Sequence, residues 1–480
     1  MKKLLALVLA LTLVLSMFAG CAGGGDTAET TTPPATDNAS VEAEVKAEAA
    51  PDTITIMMPP VSATFQDQLE RWATEFNALY PNLTMEFETG SWEDYNEKLD
   101  VQVNAGSPPD IAWVEDAKVG KYVDSGMMVD ITSLISAEDL ADFDESAVQF
   151  YRIGEGLYGL PVYISIQALG GNKAMLEEAG IDWKSVQQNG WTFEEFREAI
   201  KAGATDDHYG FIFACAGVTS ADYLNIMVKN AGMPAAFDKD LKYAYTSQNF
   251  LELLKALRAI IDDGSTPEEM SSVDAGKRWN MFLTGQTMIF GKGLANFEGL
   301  AATNNAKLQA NDNTAVENSI EADYLVLPVP TFFGCEQAAQ GAAGGVSMFR
   351  GIEEPTAEHQ ANVMKAMYFL ASGERAAFTC NELFLSALSD SSREAMAQIV
   401  NEVPRSKDNA AALAALTAQA AQPRPDIPAE LSAAHTRLMD EVIVPKFQAL
   451  LADEITPEEM YDAVKTAAID TFGEDGIVVD

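Results

Sequence analysis

The sequence contains few of the residues on which most catalytic and metal sites depend. Its 480 residues include three histidines, widely separated at His208, His359 and His435, and four cysteines. The motifs HExxH, GxSxG and paired CxxC, which would indicate a metal or a nucleophilic site, are absent. Carboxylate pairs are the exception, because 72 acidic residues make chance pairs abundant and leave glycosidase chemistry open. We expect a binding protein rather than an enzyme, with no cofactor and no bound metal.

Basic residues are also scarce. Lysine and arginine together number 31 against 72 acidic residues, which gives a formal net charge of -41. A long-range field of this sign repels phosphate backbones and anionic lipid, so we expect no nucleic acid partner. Otherwise the acidity indicates a well-solvated surface.

Long apolar runs are confined to the N-terminus. Two lysines precede an apolar stretch at residues 4–15, and the small pair Ala19 and Gly20 follows it. This pattern predicts a signal peptide over residues 1–20, because its apolar core is shorter than the roughly 20 residues that a membrane span needs. No later stretch of the sequence is long and apolar enough to span a membrane.

Cys21 directly follows the predicted cleavage site. Small residues before a cysteine resemble the lipobox of bacterial lipoproteins, in which that cysteine is lipidated and becomes the new N-terminus; an incidental cysteine after an ordinary secretory signal is the alternative. Residues 22–52 are rich in Gly, Thr, Pro, Ala and Glu, contain no aromatic residue, and therefore predict a disordered tether. We expect the protein to be lipid-anchored on the extracytoplasmic face of a bacterial cell membrane.

Three cysteines remain, Cys215, Cys335 and Cys380, and an odd number cannot all pair. None has the spacing of metal ligands. We expect buried thiols that pack as small apolar side chains, or at most one disulfide bond.

From residue 53 onwards the pattern alternates between strand and helix. Residues 53–58 and 83–87 alternate as strands, and between them apolar side chains recur at helical spacing, at Phe65, Leu69, Trp72, Phe76 and Leu79. A strand, a helix and a second strand form the unit of a parallel sheet, so the sequence predicts an α/β fold.

Open parallel sheets bind ligands beyond the carboxyl ends of their strands. The residues at these ends include four candidate ligand contacts: Phe65, Trp92, Trp113 and Asp116. Trp92 could equally pack against its own helix, and Trp113 could belong to the core.

The stretch GLYGLPVYIS, from Gly156 to Tyr163 and beyond, is interpreted as a crossing between two lobes. Its glycines allow a bent backbone and Pro161 then stiffens it. An ordinary turn into a buried strand is the alternative.

A series of motifs in a fixed order resembles one known family. The motifs are FNALYPNLTMEF, DYNEKLDVQVNAGSPPDIAWV, GMMVDITSLI and GLYGLPVYIS, followed by GWTFEEFREAIKAG and YLVLPVPTFFG. Together they resemble the family 1 extracellular solute-binding proteins, the maltose-binding-protein-like receptors of ABC importers.

The resemblance implies a two-lobed fold of the type II periplasmic-binding-protein kind, with a ligand cleft between the lobes and three hinge crossings. The implied boundaries place residues 53–162 and 287–342 in lobe 1, and residues 163–286 and 343–480 in lobe 2. The implied partners are a small solute and the permease subunits of an ABC transporter, and we expect a monomer.

Carbohydrate is the solute class that the resemblance implies most often, with a cationic solute such as a polyamine as the alternative. A surface glycosidase and an adhesive lipoprotein are further alternatives. The resemblance adds further cleft positions to the four strand-end residues: Tyr163, Asn296, Phe297, Gly344, Arg405 and His435. Aromatic faces would pack on sugar rings, and polar groups would bind hydroxyls.

Overall fold

The computed structural model describes residues 50–62, 64–399, 405–420 and 422–479. The predicted signal peptide, Cys21 and the predicted tether up to residue 49 lie outside these residues. In the part of the chain that the structure describes, no helix is both long and apolar enough to cross a bilayer.

The first part of the chain alternates between strand and helix, as predicted. It forms β1 (Asp52–Met58), α1 (Phe65–Leu79), β2 (Leu83–Thr89), α2 (Trp92–Asn104), β3 (Ile111–Glu115) and α3 (Asp116–Asp124). β1 pairs in parallel with both β2 and β3, which confirms the predicted parallel sheet. α1 buries Phe65, Leu69, Trp72 and Phe76 as predicted, whereas Leu79 is 63% exposed. Tyr80 takes the next position on the buried face, with its ring centroid 5.0 Å from that of Phe76.

The middle of the chain is centred on one long strand. The chain continues through α4 (Ala137–Ala141), α5 (Glu145–Val148), β4 (Arg152–Ile153) and β5 (Gly156–Leu157) to β6 (Leu160–Asn172). After β6 come α6 (Lys173–Glu178), α7 (Trp183–Asn189), α8 (Phe193–Ala202), β7 (Tyr209–Ile212), α9 (Asp222–Val228), α10 (Gln248–Asp262), α11 (Ala275–Leu283), β8 (Thr287–Gly293), α12 (Phe297–Gln309) and β9 (Tyr324–Leu327).

The last part of the chain is one strand followed by helices. It comprises β10 (Gln340–Met348), α13 (Ala357–Ala371), α14 (Gly373–Glu382), α15 (Asp390–Met396), α16 (Lys407–Ala418), α17 (Ala429–Leu438), α18 (Val444–Leu451) and α19 (Pro457–Phe472). A turn of π-helix, Met439–Ile443, joins α17 to α18.

Eight strands form one mixed sheet in the order β2-β1-β3-β10-β6-β8-β7, with β9 also paired to β6, and β4 and β5 form a separate antiparallel pair. β6 has 13 residues, and its two halves have different neighbours. Residues 160–167 pair with β10, whereas residues 168–172 pair with β8 and β9. β6 therefore belongs to both halves of the sheet.

The buried apolar side chains form three clusters. The first core draws on residues 54–163 and 343–387. The second core draws on residues 169–332 and 438–477. The third core, smaller than the other two, includes Ile166, Phe290, Phe297 and Leu416. The chain therefore passes between the first core and the other two at β6, at β10 and between Ala387 and Ala412.

This packing differs from the predicted assignment of segments to lobes. Residues 287–342 were expected beside residues 53–162, but β8 pairs with β7 and with the second half of β6, and its side chains enter the second and third cores. Residues 343–387 were expected in the other lobe, but their side chains pack in the first core. The difference arises because strand pairing depends on contacts between distant segments, which a local motif does not encode.

The three described cysteines are free. Cys215 and Cys380 are buried, as expected for thiols that pack as small apolar side chains, and Cys335 is partly buried. Burial raises the pKa values of the Cys215 and Cys380 thiols, which keeps both thiols protonated and unreactive.

Candidate ligand-binding site

A cavity of about 290 Å³ lies where β3, β6, β8 and β10 come together. Its wall includes Glu115 at the end of β3, Gln167 in β6, Lys292 in β8 and Gly344 in β10. Because β3 belongs to the first core and β8 to the other two, both parts of the molecule contribute to the wall.

Six of the ten candidate ligand contacts line this cavity. They are Trp92, Trp113, Tyr163, Asn296, Phe297 and Gly344. The four others, Phe65, Asp116, Arg405 and His435, do not line it. These assignments rest on position alone, so a ligand contact at each residue stays a prediction.

Two aromatic rings form one side of the cavity. The ring centroids of Trp113 and Tyr163 are 5.3 Å apart, and the ring planes are inclined by 37°. Both rings also pack in the first core, which holds them in place. The Trp113 Nε1 and the Gln167 Oε1 are buried and have no hydrogen-bond partner among the described residues. The cavity therefore combines an aromatic surface with an unused donor and an unused acceptor.

Gly344 makes this arrangement of rings possible. It lies in β10 between Glu115 of β3 and Tyr163 of β6, and the strand register shifts after it. A Cβ at this position would come within 2.5 Å of Trp113 Cζ2 and 2.8 Å of Tyr163 Cζ. Only glycine lets the backbone pass so close to both rings.

Further aromatic residues enclose the cavity from two other directions. Trp92, at the start of α2, is 37% exposed, and its Nε1 donates a hydrogen bond of 2.7 Å to the carbonyl oxygen of Pro60. Phe297, at the start of α12, stacks on Trp279 with ring centroids 4.6 Å apart and an interplanar angle of 15°. The hydrogen bond to Pro60 thus orients the indole of Trp92, and the stacking on Trp279 orients the ring of Phe297.

Two cations and one carboxylate complete the cavity wall. The Lys292 Nζ forms an ion pair of 2.8 Å with Asp222. Burial lowers the pKa of Lys292, but the carboxylates of Asp222 and Glu115 outweigh this effect and hold the pKa above its usual value. Lys292 has a backbone φ of 53°, a left-handed conformation that is uncommon for a residue other than glycine.

Arg278 is the second cation, and only 3% of it is exposed. Its Nη1 donates a hydrogen bond of 3.0 Å to the carbonyl oxygen of Gly291, whereas its Nε is buried without a partner among the described residues. Its guanidinium lies 5.6 Å from the ring centroids of Phe290 and Phe297. Burial lowers the pKa of Arg278 to about 10, so the side chain is charged at neutral pH.

Phe65 and Asp116 have structural contacts. Phe65 is buried in the first core, with an edge contact of 5.7 Å between its ring centroid and that of Trp72. The Asp116 Oδ1 accepts a hydrogen bond of 2.9 Å from the backbone N–H of Ala343. Burial raises the pKa of Asp116 to about 7. Asp116 therefore links the start of α3 to β10 rather than facing the cavity.

The side chains of Arg405 and His435 also make contacts away from the cavity. The Arg405 guanidinium lies 4.7 Å from the ring centroid of Phe384. His435 packs among aromatic residues, and its Nδ1 is 3.1 Å from the Tyr243 Oη. Burial lowers the pKa of His435 to about 4, which keeps the imidazole neutral at physiological pH.

Sequence reasoning missed the charged residues of the cavity. Glu115 is the residue just before Asp116 and, unlike Asp116, it lines the cavity. Lys292 lies near the end of β8, after its apolar residues, and Arg278 lies three positions before Met281 on the buried face of α11. A basic residue on an apolar helix face was the available signal for Arg278.

In the described ranges, no group of histidine, cysteine, aspartate or glutamate side chains could hold a metal ion. The cavity itself provides aromatic faces, hydrogen-bonding groups and charge.

The sequence profile of the bacterial extracellular solute-binding protein family matches residues 62–333, which is more than half of the chain. The chain belongs to this family. It is 24% identical over 311 residues to a protein of Brucella abortus (strain 2308) that is named as a binding protein, a match that covers 65% of this chain and 70% of the relative.

Solved structures show the same fold. An ABC substrate-binding protein of Listeria monocytogenes in complex with cycloalternan has a TM-score of 0.67 and 17% identity, over 88% of this chain and 99% of that one. The maltose-bound MalE3 of T. maritima has a TM-score of 0.67 and 18% identity, over 87% of this chain and 98% of that one. The two-lobed α/β fold of periplasmic binding proteins, predicted from the sequence motifs, is therefore confirmed.

Proposed function

We propose that this protein is the solute receptor of an ABC importer and that it binds a sugar or an oligosaccharide in the cavity. The observation that carries the proposal is the inclined pair of Trp113 and Tyr163 beside unused hydrogen-bonding groups. The C–H faces of a sugar ring pack on aromatic rings, and its hydroxyls need donors and acceptors at the edge of those rings. Structural neighbours in complex with cycloalternan and maltose support this choice.

Closure of two lobes on the solute is the proposed mechanism of capture. The three passages of the chain at β6, at β10 and between Ala387 and Ala412 are the proposed hinges. With these hinges, lobe 1 would contain residues 53–162 and 343–387, and lobe 2 the intervening and following residues. A solute favours the closed state only by its higher affinity for that state.

Lipidation at Cys21 is the proposed mode of attachment to the membrane. The small residues before Cys21 and the composition of residues 22–52 support an anchor with a tether between lipid and receptor. The proposed partner is the permease of the importer, which would receive the solute from the closed receptor. The receptor itself would act without chemical turnover.

A cationic solute such as a polyamine fits the cavity less well than a sugar. Glu115 could bind an ammonium group, but Arg278 and Lys292 lie on the same wall and would repel it. Among the residues that the structure describes, Lys292 has a carboxylate within ion-pairing distance and Arg278 has none.

Thermal denaturation of the purified mature protein in the presence of neutral sugars, uronic acids and amines tests the proposal. A solute at 100 times its Kd adds about 2.7 kcal/mol to the free energy of unfolding, which is a readily measured shift. We expect a shift with at least one saccharide and none with polyamines. Stabilisation by amines alone would overturn the proposed solute class.

Variants at the aromatic pair locate the site. Trp113→Phe removes the indole N–H and part of the stacking surface, so it should weaken saccharide binding. Trp72→Phe is the matched control, because Trp72 packs in the same core without lining the cavity. Equal losses of affinity in the two variants would contradict the location of the site.

A further inference from the structure

Two hydrogen-bond donors of Arg278, in the wall of the cavity, have no partner among the described residues. The Nη1 of Arg278 is bonded to the carbonyl oxygen of Gly291, but Nε and Nη2 bond to no described residue. These two nitrogens direct hydrogens in parallel from the same edge of the planar guanidinium. They form the side-on fork that binds both oxygens of a carboxylate.

The carboxylates around Arg278 do not fill this fork. Asp222 is the acid whose charge acts most on Arg278, and it is already paired with Lys292 at 2.8 Å. Glu115, on the opposite side of the sheet junction, acts on Lys292. No ion pair joins Arg278 to any residue that the structure describes.

An unpaired guanidinium that is only 3% exposed is costly in a folded protein. Buried charges are usually paired, because the loss of hydration is otherwise uncompensated. Cation–π contacts with the rings of Phe290 and Phe297 offset part of this cost. The remaining compensation is available from a ligand, since Arg278 lines the cavity.

We propose that the solute carries a carboxylate, as a uronic-acid saccharide does, and that the Nε and Nη2 of Arg278 bind it. The proposal rests on the proposed sugar-binding function and narrows it to acidic saccharides. A singly charged, planar carboxylate suits the site better than a doubly charged phosphate, because Glu115 and Asp222 would oppose the second charge.

The test compares acidic saccharides with their methyl esters. Each methyl ester keeps the ring and the hydroxyls of its acid and differs only at the carboxyl group, which is neutral and methylated, so the pair isolates the contribution of the carboxylate. Isothermal titration calorimetry of the purified mature protein is carried out with glucuronic-, galacturonic- and mannuronic-acid oligosaccharides, each beside its ester. We expect at least one acid to bind about tenfold or more tightly than its ester, as charge-assisted hydrogen bonds predict.

Variants then assign the effect to Arg278. Arg278→Lys keeps the charge and removes the fork, and Arg278→Gln removes the charge. Both should lose the preference for the acid while binding of the ester changes little. Arg71→Gln is the control, because Arg71 is exposed on α1 and does not line the cavity. Circular dichroism establishes whether each variant is folded, and the acid–ester comparison on the unchanged protein decides the proposal if a variant is not.

The outcomes separate the two proposals. Equal binding of acid and ester, or tighter binding of the ester, overturns the carboxylate proposal and leaves the sugar receptor intact. Preference for a sulfated or phosphorylated saccharide over a uronic acid overturns the choice of carboxylate. Binding of no saccharide, acidic or neutral, overturns the proposed function itself.

Discussion

At the scale of single residues, the cavity depends on a glycine. Gly344 has no Cβ, and a Cβ there would overlap both Trp113 and Tyr163. The two rings can approach each other only because Gly344, in the strand between them, has a hydrogen atom in place of a Cβ. The aromatic surface and the glycine therefore form one unit.

Replacing Gly344 with alanine should damage this unit. The added methyl group must displace one ring, and such overpacking typically costs about 1–3 kcal/mol. We expect a lower free energy of unfolding in urea and weaker binding of saccharide by Gly344→Ala. Gly341→Ala is the matched control in the same strand, because its Cβ would meet no atom closer than 3.4 Å. If Gly344→Ala and Gly341→Ala had the same free energy of unfolding and the same affinity for saccharide, the role of Gly344 in placing the rings would be refuted.

His359 is a second residue whose surroundings allow a prediction. Its Nδ1 is 2.9 Å from an oxygen of Asp52, and its Nε2 is 3.1 Å from an oxygen of Asp110. Burial lowers the pKa of His359, but hydrogen bonds to Asp110 and Asp52 outweigh burial and hold the pKa above its usual value of 6.5. The imidazole thus joins α13 to the start of β1 and to the residue just before β3.

Stability should therefore fall as pH rises above 6.5. A histidine with a raised pKa in the folded state contributes stability below its usual pKa, and this contribution is lost as pH rises through the folded pKa. Urea denaturation between pH 6.5 and 9 measures the effect. His359→Gln should flatten the dependence on pH in this range.

The titration of Asp52 does not disturb this measurement. The pKa of Asp52 is lowered, because hydrogen bonds to Asn362 and His359 outweigh the opposing effect of burial. Its contribution to stability is lost only as pH falls below its usual value of 3.8. The same slope of stability against pH in His359→Gln and in the unchanged protein would show that His359 is not the source.

At the scale of elements, a segment after α14 joins the first core to the third. Leu383 and Leu385 pack against the first core, whereas Phe384 between them lies against Gly299 of α12. Phe384 has a φ of 57°, which is a strained conformation for a bulky residue. The guanidinium of Arg405 lies 4.7 Å from the ring centroid of Phe384. The strain persists because the packing of the ring against Gly299 and Arg405 compensates for it.

Phe384→Ala should loosen the connection between the two parts of the molecule. Loss of the ring contacts with α12 and Arg405 should weaken solute binding about two- to fivefold and make the ligand-free protein less compact in small-angle scattering. Phe333→Ala is the matched control, because Phe333 also has a positive φ but is 50% exposed. Identical scattering by the two variants would contradict a connecting role for Phe384.

At the scale of the whole molecule, the chain passes three times between the first core and the other two. A body divided in this way can close on a solute by small changes at the three passages, while each core stays packed. The cavity lies at the junction of the sheet, where such a movement changes its width most directly. Solute binding and shape should therefore be coupled.

We expect the radius of gyration to decrease when the solute is added. The decrease should be absent in Gly344→Ala at solute concentrations that saturate the unchanged protein, because that variant binds weakly. Small-angle scattering with and without the solute measures the change. A protein that binds its solute tightly in calorimetry yet shows no compaction would refute closure.

Sequence patterns were sufficient to predict those features of the fold whose physical cause is local. The helical spacing of Phe65, Leu69, Trp72 and Phe76 predicted the buried face of α1. Thr192, followed by Glu195 three residues later, has the pattern of a capping box, and the structure contains this capping box at the start of α8. The order of motifs also predicted the two-lobed fold. These features depend on residues that are neighbours in the chain, so their patterns can be read from it directly.

The tertiary structure decided what depends on distant residues. Only the folded chain places β8 beside β7, brings residues 343–387 into the first core, and sets Arg278 on the wall of the cavity. Strand pairing and the environment of a buried charge arise from contacts between segments that are separate in the chain, and each segment alone is compatible with several partners. The sequence by itself thus determined the elements and the class of protein, whereas the tertiary contacts determined the charges that a solute would meet.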